Sequence, residues 1–325
     1  MSFPLNLYVL SLLSAGLTTL LTLPLWRAWC RRAGLVDDPG HRKIHDRAIP
    51  LAGRLAILTG LLIPLLGAFA ALKLNLLGVD ATDKLGYGLE RRFGQLSAMI
   101  GGALGMTLLG WLDDKHELHP APKFAGQVLI AALVAAAGIR ITLFVPSPVF
   151  SYAVTILWIL TVTNAFNFMD NMNGLCAGLG GIASLLIGLT AARHGQYLVA
   201  AIAFLVVGAT IGFLPFNFPR ASAFLGDAGS HLIGFLMSAL AVLPHFYSDK
   251  HPQALAVLSP LLILAVPLAD LAWVVVLRWR MGKPFYLGDN NHLSHQLVRI
   301  GLSQAQAVAV IWALAAAVGS LVFLL

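Results

Sequence analysis

Charge is scarce in this sequence. Asp, Glu, Lys and Arg make up 11% of the 325 residues, 58% are hydrophobic and the mean hydropathy is +0.83, a balance far too apolar for a domain whose surface meets water. A water-soluble enzyme is excluded. Cysteine is scarcer still, and Cys30 with Cys176 cannot found a disulfide framework. The 31 glycines and 16 prolines follow no period, which excludes collagen-like chains. What abounds is long apolar runs. A hydrocarbon core takes about 20 residues per helix, and stretches of that order lie at 5–29, 53–74, 95–112, 124–140, 150–167, 175–193, 197–216, 229–247, 253–278 and 304–325. The expectation is one all-α integral membrane domain over residues 1–325, with about ten transmembrane helices. The first stretch has no positive charge ahead of it and no small-residue cleavage site, so it reads as a retained anchor.

The remaining charges are unevenly placed. Of the 21 Lys and Arg, all but Lys73, Lys84, Arg91, Arg92, Arg140, Arg193 and Lys250 follow the odd-numbered stretches. Positive loops stay in the cytosol, so these loops are expected there and both termini outside. The net charge of +7 then speaks for anionic membrane lipids rather than nucleic acid. Both cysteines fall on the reducing side and are expected unpaired. Asp37, Asp38, Asp46, Asp113, Asp114, Glu117, Asp170, Asp227 and Asp289 gather on the same face. Carboxylates do not orient membrane proteins, so this gathering points to a polar site facing the cytosol.

Each odd loop offers candidates. The first carries Arg42, Lys43 and His45, which suit either a plain solvated loop or a cationic strap for a phosphate or headgroup. The second has adjacent Asp113 and Asp114, whose repulsion a bound cation would relieve. Lys123 follows at the start of the next helix, where dipole and side chain together favour an anion. In the third, Asn164, Asn167 and Asp170 recur every three residues, so a helix would bring them to one face. Polar groups inside an apolar stretch are costly and read as functional, although helix-to-helix hydrogen bonding also accounts for Asn164. Asn171 and Asn173 add hydrogen-bonding groups around the turn before Gly174. In the fourth, Asp227 sits where a helix cap would, between Gly226 and Gly229, with Phe224 able to stack on a base or touch lipid. The fifth has His292 and His295, fit for metal or phosphate, but no Cys/His set completes a zinc site. Asp270, inside the ninth stretch, is expected to be buried and hydrogen-bonded.

Taken in order, these five segments resemble the polyprenyl-phosphate N-acetylhexosamine-1-phosphate transferases from Asp37 to about Ser303. The matching pieces are D-P-x-x-R-K-x-H at Asp38 to His45, the Asp113-Asp114 pair with Lys123, Phe124 and Gln127, N-x-x-N-x-x-D at Asn164 to Asp170, F-x-G-D-x-G-S at Phe224 to Ser230, and the final histidines His292 and His295. The sequence departs from the family pattern at Asn171 and Asn173, in place of Gly and Asp, at Ser294 in place of a histidine, and at Arg54 in place of a glycine.

The resemblance implies an enzyme of the bacterial inner membrane. It would move a sugar-1-phosphate, most simply GlcNAc-1-phosphate, from a UDP-sugar to undecaprenyl phosphate and release UMP. Mg²⁺, with Mn²⁺ an alternative, would be held by Asn167 and Asp227. Lys123, His292 and His295 would stabilise phosphate charge, with Asp170 beside them and Asn164 among the substrate contacts. Asn173 and Phe224 would hold uracil, and Arg42, Lys43 and His45 a phosphate. Asp113 and Asp114 would position the lipid phosphate, its countercation or a water, with proton abstraction by Asp113 the lesser role. A homodimer is left open. The competing readings are a UDP-MurNAc-pentapeptide donor within the same class, and a secondary transporter, against which stand the absence of internal repeats and the single mid-span charge, Asp270.

Overall fold

The structure, a computed structural model, describes residues 3–38, 47–74, 76, 79–244, 254–284, 286 and 290–325. Apart from one two-stranded ribbon, every regular element among them is helical, as an apolar chain in lipid requires: a helix satisfies its own backbone where no water can. The order is α1 (Leu5–Arg32), β1 (Val36–Asp37), β2 (Ile49–Pro50), α2 (Gly53–Lys73), α3 (Val79–His116), α4 (Pro120–Ala136), α5 (Pro148–Phe168), α6 (Leu175–Arg193), α7 (Tyr197–Phe213), α8 (Gly226–Leu240), α9 (Ser259–Ile263), α10 (Ala265–Arg280), α11 (Leu293–Arg299) and α12 (Gln304–Ser320). Local sequence sets several of the starts. Ser147 caps α5 with Pro148 at its first position, and Ser303 with Gln306 forms a capping box on α12.

The helices form layers by burial. α6 and α7 have 78% of their apolar windows buried, and α8 is buried from Ala228 to Leu240, so these three make the centre. α1 and α2 are only 22% and 17% buried and turn Leu10, Leu21, Leu25 and Leu66 outward, the arrangement expected of helices facing lipid. Association here cannot rest on the hydrophobic effect and relies on close backbone contact. Gly208 shows this: a Cβ there would lie 2.1 Å from the Leu12 carbonyl oxygen, so α1 and α7 touch main chain to main chain.

The protein is a multi-pass membrane protein, but the expected count of about ten spans is not reached by length. Seven helices are long and apolar enough to cross, or eight if α9 and α10, with the residues just before them, make one span bent by 67°. The stretches expected at 124–140 and 229–247 coincide with helices of 17 and 15 residues, below the length of a full crossing. Hydropathy saw their composition and not where their chains turn.

The loops after the odd-numbered stretches meet at one end of the bundle. β1 and β2 pair antiparallel, Val36 opposite Pro50. Phe224 N–H donates to the Pro50 carbonyl at 3.0 Å, and its own carbonyl accepts from Gly53 N–H at 2.9 Å, which joins the first loop to the fourth. Gly174 N–H donates to Asn217 Oδ1 at 2.6 Å, joining the third to the fourth. Ser294 Oγ donates to Asn171 Oδ1 at 2.7 Å, joining the third to the fifth.

Candidate active site

The second loop meets the fourth at the most charged point of the structure. α3 ends in Asp113 and Asp114, whose side chains diverge. Asp114 reaches the start of α8: its Oδ1 accepts from Asp227 N–H at 2.7 Å and its Oδ2 from Ala228 N–H at 3.3 Å. The cap of α8 is therefore supplied from another helix, because Leu225 stands at the N-cap and Asp227 lies within the first turn. Arg54, at the start of α2, donates to Asp114 Oδ2 and balances its charge. Gly226 permits this approach. It has φ +67°, and a Cβ there would sit 2.9 Å from Asp114 Oδ2. Gly226→Ala should therefore lower both the melting temperature and the activity of the purified protein, since a left-handed alanine costs about 1–2 kcal/mol before the crowding is counted.

Asp113 turns the other way. Its Oδ1 accepts from Leu118 N–H at 2.9 Å, and its Oδ2 pairs with the Lys123 ammonium from the first turn of α4. Lys123 also reaches Asp227 Oδ2 at 2.7 Å, so one ammonium bridges two carboxylates from different helices. Asp227 Oδ1 accepts from Asn167 Nδ2 at 3.0 Å, and the same nitrogen reaches Ser230 Oγ at 3.0 Å. Asp227 is the most open of the three acidic partners, its side chain 37% exposed against 11% for Asp113 and 12% for Asp114. Asp170 stands in the turn after α5, beyond the helical face that carries Asn167, and its carboxylate meets no hydrogen-bond donor among the described residues. Surrounding protein pushes its carboxyl well above the usual range, first by desolvation and then by the negative charges of Asp227 and Asp114.

The structure thus brings Asp113, Asp114, Lys123, Asn167, Asp170 and Asp227 together. It places others elsewhere. The Asn164 amide is engaged in a reciprocal pair with buried Gln127, donating to Oε1 at 2.8 Å, and also donates to the Leu160 carbonyl at 2.8 Å, which is the interhelical role the sequence also allowed. Asn173 Nδ2 donates to the Pro219 carbonyl at 3.2 Å, and Phe224 is partly buried where the first and fourth loops join, so both flank the cluster. His292 is buried at the start of α11, edge-on to Phe168 at 5.7 Å between ring centres, with His295 6.2 Å away. Arg42, Lys43, His45 and Asp289 lie outside the described residues. Both cysteines are free and buried, as expected. The contact of Ser294 with Asn171 joins two of the positions that depart from the family pattern.

Sequence reasoning passed over Arg54 and His231. Arg54 was noted only as a departure, yet an arginine opening an apolar span is a costly placement and that cost was the available signal. His231 is fully buried and its Nδ1 lies 2.5 Å from the Asp227 carbonyl. Within an F-x-G-D-x-G-S run followed by an apolar helix, nothing in its spacing set it apart from a packing residue.

Among the described residues no three His, Cys, Asp or Glu side chains form a metal cage. The donor set nevertheless suits Mg²⁺, which binds few protein oxygens and keeps the rest of its shell for water and phosphate. Asp227 presents its carboxylate beside the Asn167 amide, whose Nδ2 faces it and whose oxygen would serve a cation once the amide turns, and Asp170 has a carboxylate that meets no donor among the described residues. Asp113, Asp114 and Asp227 also outnumber Lys123 and Arg54, so an anionic ligand needs further positive charge to enter.

Residues 96–245, from α3 past the end of α8, match the family described as glycosyl transferase family 4. A probable undecaprenyl-phosphate N-acetylglucosaminyl 1-phosphate transferase of Bacillus subtilis is 31% identical over 312 residues, covering 94% of this chain and 81% of the relative. A decaprenyl-phosphate N-acetylglucosaminephosphotransferase of Mycobacterium tuberculosis is 33% identical over 336 residues, covering 94% and 79%. An undecaprenyl-phosphate alpha-N-acetylglucosaminyl 1-phosphate transferase of Escherichia coli is 28% identical over 330 residues, covering 95% and 82%. The matched segment contains the whole charged cluster except Arg54, and the likeness runs nearly end to end: this chain belongs to glycosyl transferase family 4, among its polyprenyl-phosphate N-acetylhexosamine-1-phosphate transferases.

Proposed function

We propose that this protein transfers GlcNAc-1-phosphate from UDP-GlcNAc to a polyprenyl phosphate, undecaprenyl phosphate in the first instance, and releases UMP. It acts at the cytosolic face of the bacterial inner membrane and depends on Mg²⁺. The observation that carries the reading is the convergence of Asp113, Lys123, Asn167 and Asp227 from four helices on one point, at the end of the bundle where the positive loops gather. The three relatives named above are described as acting on polyprenyl phosphates with N-acetylglucosaminyl 1-phosphate or phosphotransferase chemistry, which supports acceptor and sugar together.

In the reaction an oxygen of the lipid phosphate forms a bond to the sugar-bearing phosphorus, and the bond from that phosphorus to the bridging oxygen breaks, so that UMP leaves. A phosphate monoester has its second pKa near 6, so at neutral pH the acceptor is already mostly a dianion and no side chain has to remove a proton. The protein's work is alignment and charge. Lys123 supplies an ammonium that can turn from the carboxylates to phosphate oxygens. Asp227 and Asn167, with Asp170 nearby, are the residues that would hold Mg²⁺, which when bound neutralises pyrophosphate charge. Asp113 orients Lys123 and keeps it beside Asp227. Asn173, Phe224 and the strap of Arg42, Lys43 and His45 are assigned to the nucleotide and its phosphates.

The test is UMP release by the purified protein in detergent, with UDP-GlcNAc, UDP-GalNAc and UDP-MurNAc-pentapeptide offered separately. Release should require UDP-GlcNAc and polyprenyl phosphate together, stop with EDTA and return with excess Mg²⁺. Release from UDP-MurNAc-pentapeptide alone would overturn the donor assignment.

A further inference from the structure

Asp270 is a carboxylate that the proposed reaction leaves unused. It lies in α10, six residues past the bend that separates α9 from α10, at a depth where an ionisable side chain is costly and needs a reason. The residue is 5% exposed. Both of its oxygens are committed to the start of α11: Oδ2 lies 2.7 Å from His292 Nδ1, and Oδ1 accepts from Leu293 N–H at 2.7 Å. His292 is also 5% exposed, and its ring packs edge-on to Phe168, the neighbour of Asn167. Arg278, fully buried on the same helix as Asp270, lies 4.9 Å from the Phe168 ring centre on its other contact. His292 Nε2 makes no hydrogen bond among the described residues.

We infer that Asp270 is a positioning residue for His292, accepting from Nδ1–H and holding the ring in one orientation, so that Nε2 is the nitrogen left to face a substrate phosphate; to donate to that phosphate Nε2 must carry a proton as well, and the Asp270 carboxylate balances the ring that then has both. The inference rests on the transferase reading, in which the family resemblance implies that His292 stabilises phosphate charge. Its chemistry follows from acceptor arithmetic. An imidazole has two distinct nitrogens, and the partner of one fixes the state of the other. A carboxylate meets two donors, the Leu293 amide and the ring N–H, with two acceptor oxygens. An amide has one acceptor oxygen, so Asp270→Asn must either abandon Leu293 N–H or turn its NH₂ to the ring and drive the proton to Nε2. The second outcome leaves a singly protonated ring, and either outcome removes the negative charge that balances a ring protonated on both nitrogens.

The experiment is a double-mutant cycle on the full-length protein in detergent, with UMP release from UDP-GlcNAc and undecaprenyl phosphate as the readout. Asp270→Asn should lower kcat by about 10- to 100-fold, the usual effect of removing the partner that orients a working histidine. KM for UDP-GlcNAc should change little. In a His292→Gln background Asp270→Asn should cost nothing further, because residues acting as a unit are not additive. A wild-type kcat in Asp270→Asn or in His292→Gln, or losses that multiply in the double variant, would overturn the inference. Nitrogen-15 spectra of histidine-labelled wild-type protein, with the His292 signal identified by its loss in His292→Gln, should show the proton on Nδ1. An unprotonated Nδ1 would overturn the inference without reference to activity, and it decides the matter where Asp270→Asn does not fold. Absence of UMP release from wild-type protein with every UDP-sugar would instead sink the transferase reading and leave the tautomer result standing.

Discussion

Asp227→Asn should reduce UMP release by about 10³-fold at saturating substrates while the protein purifies with an unchanged melting temperature. The size follows from what the carboxylate does. It accepts from Lys123 at 2.7 Å and from Asn167 at 3.0 Å, and it is the most open acidic group of the cluster. An amide keeps one acceptor, turns two N–H donors toward an ammonium and a second amide, and removes the charge that a divalent cation requires. Stability is spared because the cap of α8 is received by the backbone N–H of Asp227 and not by its side chain. The check is kinetic measurement beside a thermal melt, and full activity in Asp227→Asn would remove this residue from the reaction.

Arg54→Met should have the opposite profile, a large loss of stability that drags activity with it. Arg54 is 2% exposed and Asp114 12%, so the pair lies almost wholly out of water. Removing one partner of a buried pair leaves an uncompensated charge and costs about 3–5 kcal/mol. Here the stranded carboxylate is also the cap of α8, and α8 carries Asp227 in its first turn. Arg54→Met/Asp114→Asn should recover part of the melting temperature, since the neutral amide needs no counter-ion and can still accept from one backbone N–H. Equal melting temperatures for wild type and Arg54→Met would show that Asp114 is balanced from elsewhere.

The two variants mark what the sequence could disclose. Asp113, Lys123, Asn167, Asp170 and Asp227 were legible because polar side chains at the ends of apolar stretches are expensive and stand out from their surroundings. Their convergence also followed from orientation, since positive loops collect on one side. The work of Asp114 was not legible, because its partners Arg54 and Asp227 are 60 and 113 residues away and no local pattern announces a cap supplied in trans. Asn164 resembled its neighbours in spacing, yet three residues deeper it meets Gln127 and serves helix pairing. The break between α9 and α10 was hidden for a different reason: hydropathy is continuous through Leu264, and Pro267, which cannot donate to the Ile263 carbonyl, marks a break without its 67° angle. Asp270 was recognised as a buried hydrogen-bonded group, but its partner His292 lies 22 residues on, past loop residues outside the described set.

On the function proposed above, the bridge made by Lys123 would govern how a ligand arrives and departs. An ammonium has three N–H donors, and two are engaged by Asp113 and Asp227. The third is free to greet an incoming phosphate oxygen before either ion pair is released. Exchange can therefore run as a hand-over through a shared intermediate arrangement, and the reverse sequence serves departure of the leaving nucleotide. At no stage would the pocket have to shelter a bare ammonium, so loading and emptying it would call for side-chain rotation without separating charge.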